Sequence, residues 1–180
     1  MPEVEKKIRA VLSETIGKKE VDWVVEVVMY DAGLFDSVFS MIFEPDEKIA
    51  WHAAWVIEKV SEMDTELFSD EKYRQLTTLV IINKHQGLQR LCLSTLFNLP
   101  VIQPISVEFI NLCFNQMLSI RQSVGVQVLS MKILTKICLI EKDFVPELIA
   151  SLENVEENNY SAGFIACKKY VLKSLNTRAK

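Results

Sequence analysis

Histidine, glycine and proline are all scarce in this 180-residue chain, and so are the motifs built on them. The two histidines, His52 and His85, belong to no H-E-x-x-H or E-x-x-H pattern, and no two cysteines form a C-x-x-C pair. Neither a metal site nor a cofactor is expected on these grounds. The five glycines stand apart, leaving no G-x-G-x-x-G, G-x-x-x-x-G-K or G-x-S-x-G loop for a phosphate or a nucleophile. Without these motifs the expectation is a chain that is not an enzyme. Five prolines and no low-complexity tract argue against a disordered or linker-rich chain.

Long apolar runs are missing too, each stopping well short of the roughly 18 residues a membrane span requires. From Val4 to Ile16 charged and apolar residues alternate, unlike the apolar stretch of a signal peptide, so a cytoplasmic location without membrane contact is expected. Cys92, Cys113, Cys138 and Cys167 are far apart and each falls inside a helical apolar pattern, as buried reduced thiols do. Asp22, Glu26, Asp31 and Asp36 read as solvated or helix-capping groups rather than acid–base pairs.

Apolar residues are abundant, at 49%, enough for a continuous core. The net charge of −4 hides an asymmetry: residues 1–83 hold 9 Lys/Arg against 17 Asp/Glu, and residues 84–180 hold 11 against 7. Contact with an anion is therefore expected in the second half, although uneven solvation of an ordinary surface would give the same bias.

The strongest positive signal is a period. Gly87, Gly125 and Gly163 are spaced by 38 residues, and apolar residues follow each at matching offsets. Leu88, Val126 and Phe164 form one column, Leu91, Leu129 and Cys167 a second, Leu96, Leu134 and Leu172 a third, and Leu99, Ile137 and Leu175 a fourth. Thr95, Ile133 and Val171 fill the offset between, completing the 3.6-residue pattern of an amphipathic helix. Upstream, Val38, Leu76, Phe114 and Leu152 repeat at the same period, as do Met41, Leu79, Met117 and Val155. Two such registers describe paired helices. The expected first helices lie near 34–43, 70–83, 105–118 and 144–154, and the second near 46–62, 86–99, 122–140 and 160–176. An N-terminal pair near 3–16 and 20–31 precedes them, and residues 1–180 form one repeat domain with units at about 34–62, 70–99, 105–140 and 144–176. Pro45-Asp46, Asp70-Glu71 and Asp143 before Pro146 place turn and capping residues at helix starts, and Pro100 with Pro104 marks a break. Each repeated glycine, early in a second helix, is expected to let its own first helix approach closely.

Helix pairs at this period, with a second helix reading Ala53-Ala54-Trp55-Val56-Ile57-Glu58-Lys59-Val60, resemble the HEAT and armadillo repeat superfamily, in particular small bacterial HEAT-like proteins. The Asp and Arg usual at helix ends are only partly present, which leaves both subtypes open. The resemblance implies an all-α fold, a right-handed α-α superhelix or α-solenoid of about five antiparallel helix pairs, with second helices lining a concave surface. Such surfaces hold peptides, proteins or nucleic acid.

Aligning the outward positions of successive second helices gives three columns: Trp51, Arg90, Val128 and Ala166; Trp55, Ser94, Lys132 and Tyr170; Lys59, Asn98, Lys136 and Ser174. Positions four apart share a helix face. Trp51, Trp55, Lys59, Arg90, Lys132, Lys136 and Tyr170 are therefore the candidate binding residues, suited to a protein or an acidic peptide. In the plainer alternative, the tryptophans pack on the preceding pair and the lysines only solvate the surface. A nucleic-acid-binding or DNA-repair protein is the second functional reading, although an acidic chain with scattered cations fits duplex binding poorly. An enzyme of unidentified class is the third.

Overall fold

The computed structural model describes residues 2–178, which form ten α-helices and two short 3-10 turns, with no strand among them. The first helices of successive pairs are α1 (Pro2–Ser13), α3 (Ala32–Met41), α5 (Asp70–Ile82), α7 (Val107–Leu118) and α9 (Val145–Glu153). The second helices are α2 (Lys18–Met29), α4 (Glu47–Met63), α6 (Gln86–Asn98), α8 (Val124–Ile140) and α10 (Ala162–Arg178). Every helix lies within three residues of the bounds expected from the apolar period.

Capping explains why the helices begin where they do. Asp46, His85, Ser123 and Ser161 each accept a backbone N–H from the first turn of a second helix, satisfying donors that would otherwise lack partners. The last three are spaced by 38 residues, as the glycines are. Asp31, Ser69 and Ser106 cap α3, α5 and α7 in the same way, while Asp70 and Glu71 add negative charge to the first turn of α5. Asp143 departs from its expected role. It lies in a 3-10 turn (Lys142–Phe144), and α9 starts with Pro146 in its first turn and no side-chain cap.

Packing divides the chain into a first compact unit ending at Pro100 and a second beginning at Val101. In the first unit α4 is the central element, packing against α1, α2, α3 and α6, and α5 covers α6. In the second unit α8 packs against α7 and α10, and α9 covers α10. The repeated apolar columns form these cores: Leu88, Val126 and Phe164 are buried, as are Val38, Leu76, Phe114 and Leu152.

The repeated glycines require a correction. A Cβ built on Gly87 would lie 3.0 Å from Cε1 of its own helix cap, His85, and 3.3 Å from the Trp51 indole nitrogen, and one on Gly163 would lie 3.3 Å from a methyl of Val124. Trp51 and Val124 belong to the preceding second helix, α4 and α8 respectively, and not to the first helix of the glycine's own pair. The missing side chain leaves room for the preceding second helix at both positions and, at Gly87, for the capping His85 ring as well. Neither glycine has a positive φ, so close approach is the reason for glycine here.

Candidate functional site

In the first unit the candidate residues sit where α4 and α6 run side by side. Trp51 is 39% exposed, Trp55 is half-buried, and Arg90 is exposed and makes no ion pair among the described residues. Trp51 is seated by its neighbours: its ring centroid lies 5.3 Å from that of His52, and its nitrogen lies over Gly87. His52 is itself buried, with Nδ1 2.7 Å from the Leu12 carbonyl oxygen. Because a carbonyl can only accept, that bond places the proton on Nδ1 and ties α4 to the last turn of α1.

Lys59 is partly exposed, but it is an ion-paired cation rather than a free one. Its ammonium lies 2.8 Å from Glu62 and 3.4 Å from Glu58, and these carboxylates hold its pKa above the ordinary value, the Glu62 hydrogen bond contributing most. Glu58, buried, also accepts a hydrogen bond from Ser94 at 2.9 Å, and Asn98 donates to Ser61 at 2.9 Å. The Lys59 charge thus belongs to a polar seam joining α4 to α6. Trp51 and Trp55 of α4 and Arg90 of α6 are the candidate residues of this unit that take no part in the seam.

In the second unit Lys132 is exposed and Lys136 is half-buried, with burial holding the pKa of Lys136 below that of a solvated lysine. Tyr170 is 73% exposed. Together with Lys173, Ser174 and Thr177 it lines a shallow cleft of about 330 Å³. Lys173 and Thr177 escape a reading confined to the aligned columns, because they flank those columns on the same helix. A larger cleft of about 510 Å³ in the first unit was also not anticipated. It is lined by Asp36, Phe39, Phe43 and Lys72 among others, on the first-helix side. The Lys72 ammonium pairs with Asp36 at 2.8 Å and lies within 5.7 Å of the Phe35 and Phe39 ring centres. The i, i+4, i+8 spacing of Phe35, Phe39 and Phe43 was the available sequence signal.

The four cysteines are unpaired. Burial pushes the Cys92 thiol up to about 12, raises Cys113 further, and with a contribution from Glu147 raises Cys138 to about 11. Cys167 is half-buried and raised by burial, but the nearby Lys132 charge pulls it back. Since the thiolate is the reactive form, an aromatic disulfide reagent is expected to modify Cys167 first in the native protein. Mass mapping of the first adduct checks this; an adduct on Cys92 or Cys113 would contradict the packing described.

Among the described residues no group of His, Cys, Asp and Glu side chains is arranged to hold a metal, and no helix is long and apolar enough to cross a membrane. No curated protein matches the chain. The family model described as "HEAT repeat domain" matches residues 8–175, from α1 to α10 and across both units. An all-helical architecture of stacked pairs and a match over nearly the whole sequence agree, and the chain belongs to the HEAT repeat domain family, with the α-solenoid fold of that family.

Proposed function

We propose that this protein is a non-catalytic interaction module whose second-helix layer binds a protein or peptide. The observation that carries the reading is the α4–α6 layer, where a partly exposed Trp51, a half-buried Trp55 and an exposed Arg90 with no ion pair among the described residues stand on two packed helices, Trp51 being seated on His52 and Gly87. Tryptophan and arginine are the residues that most often dominate binding energy at interfaces, and they do so best when their surroundings hold them in place. The His52–Leu12 bond and the Glu58–Ser94 seam supply that support from beneath, limiting the conformational entropy lost when a ligand docks. Arg90 adds a planar donor fork for a carboxylate.

The test combines Trp51→Ala with Arg90→Glu in the full chain. Affinity purification from the source cell under quantitative mass spectrometry is expected to show a specific partner reduced by about tenfold or more, with the helical circular dichroism spectrum unchanged. A partner set identical to that of the parent protein would reject this strip as the binding surface.

A further inference from the structure

The first-helix side of the first unit carries an aromatic row that the α4–α6 layer does not use. Phe68, Phe35, Phe39 and Phe43 follow one another with ring centroids 5.2, 6.2 and 5.6 Å apart. The row runs from the core to solvent: Phe35 and Phe39 are buried, whereas Phe43, just past the end of α3, is 41% exposed. The cleft of about 510 Å³ brings Phe39 and Phe43 together with Glu71, Lys72 and Gln75 of α5. Most of its polar lining is already satisfied. Asp36 and Lys72 neutralise each other at 2.8 Å, Ser40 donates to the Ser37 carbonyl at 2.7 Å, and Ser69 accepts the Lys72 backbone N–H at 3.3 Å. Glu71 is the exception. It is exposed, its hydrogen bond comes from the neutral amide of Gln75 at 3.3 Å, and it makes no ion pair among the described residues. The cleft therefore offers a ligand an open aromatic ring and one carboxylate without a counter-ion.

We propose that this cleft docks a basic, amphipathic segment of a partner protein, one apolar side chain covering Phe43 and a neighbouring lysine or arginine pairing with Glu71. Charge complementarity identifies the occupant. The one uncompensated charge of the lining is negative, and residues 1–83, which hold the whole cleft, carry 17 Asp/Glu against 9 Lys/Arg. An acidic segment or a nucleic acid would be repelled by both. Phe43 supplies the contact area, since a ring partly exposed and backed by Phe39 is covered at little cost in entropy. A chain segment fits better than an enclosed small molecule, because Ser40, Phe43, Glu71 and Gln75 are all exposed and both walls end in solvent. The cleft is separate from the α4–α6 layer and prefers the opposite charge to Arg90, so neither reading depends on the other.

Fluorescence anisotropy on the full chain tests this with three labelled probes: a short peptide alternating lysine with leucine, and the same peptide with glutamine or with glutamate in place of lysine. The lysine peptide is expected to bind, with affinity falling as salt rises. Phe43→Ser should lower that affinity about tenfold, and Glu71→Gln about threefold. Phe43→Leu should retain binding, which separates lost contact from lost folding. Glu26→Gln removes the same charge from α2, outside the cleft, and should leave affinity unchanged, which separates the cleft from the acidity of the unit. Trp51→Ala combined with Arg90→Glu should not weaken binding, so that failure of the α4–α6 layer and failure of this cleft remain distinguishable. The proposal is overturned if the lysine peptide does not bind, if the glutamine or glutamate peptide binds as tightly, or if Glu26→Gln weakens binding as much as Glu71→Gln. It is overturned equally if Phe43→Ser leaves affinity unchanged, or if sedimentation shows the parent chain to be a dimer that Phe43→Ser dissociates, which would give the cleft to a second copy.

Discussion

Phe164→Ala is expected to destabilise the protein by about 3–5 kcal/mol, the range for removing a fully buried aromatic ring from a packed core. Phe164 has no exposed surface and stacks on Tyr160, with ring centroids 4.2 Å apart and planes inclined by 23°. The Tyr160 hydroxyl donates to the Leu118 carbonyl at 2.7 Å, so that ring fastens the turn before α10 to the end of α7. Removing Phe164 therefore opens a cavity and takes the packing surface from a side chain that joins two elements. Most domains are stable by only about 5–15 kcal/mol, so the change is a large fraction of the whole. The melting temperature should fall by roughly 6–20 °C for a chain of this size. Urea titration by circular dichroism measures the difference directly, and Val126→Ala is the informative comparison. Valine removes a smaller group at the same repeat position, so its substitution should cost less; a loss below about 1 kcal/mol for Phe164→Ala would mean that the stack contributes little.

The position of Phe164 could be read from the sequence because the core repeats. One residue after each spaced glycine an apolar side chain falls at the same height in its helix pair, and Leu88, Val126 and Phe164 are all buried there. The capping column was equally present in the sequence. Asp46, His85, Ser123 and Ser161 stand just before second helices, but His85 is an unusual cap, accepting the Leu88 N–H through Nδ1 at 3.0 Å, and it disguises the series.

What could not be read is which neighbour a residue faces. A period gives the height of a side chain in the stack, yet both the helix of the same pair and that of the preceding pair lie at that height. This is why Gly87 meets Trp51 of α4 and not α5. The same ambiguity surrounds Lys59. Its column position points outward, but whether the ammonium is already paired depends on Glu58 and Glu62, whose rotamers no spacing determines. Trp51 and Arg90 are the opposite case, since their place in the outward columns corresponds to real exposure.

Gln89→Leu is expected to cost about 2–4 kcal/mol, and its repeat equivalent Gln127→Leu about 1–2 kcal/mol, although both remove a buried amide of similar size. The two glutamines are 38 residues apart and reach back to the turn before their own helix. Gln89 Nε2 donates to the Val80 carbonyl at 3.1 Å and also to the Asn83 carbonyl. Val80 lies in the last turn of α5, where carbonyls have no partner further along the helix. Leucine at position 89 would leave two carbonyls without that donor, one of them in the buried interior. Among the described residues Gln127 Nε2 donates to one carbonyl, that of Ser119, at 2.8 Å, and Ser119 also accepts the Gln122 backbone N–H at 3.1 Å. That second donor remains when Gln127 is replaced, so the carbonyl is never left bare. The asymmetry separates hydrogen bonding from packing: lost side-chain contacts alone would give the two variants equal effects, whereas unsatisfied carbonyls make the Gln89 variant the worse by about twofold. Urea titrations of the two single variants and the double variant decide between these accounts. Because the glutamines sit in different compact units, their effects should add to within about 0.5 kcal/mol.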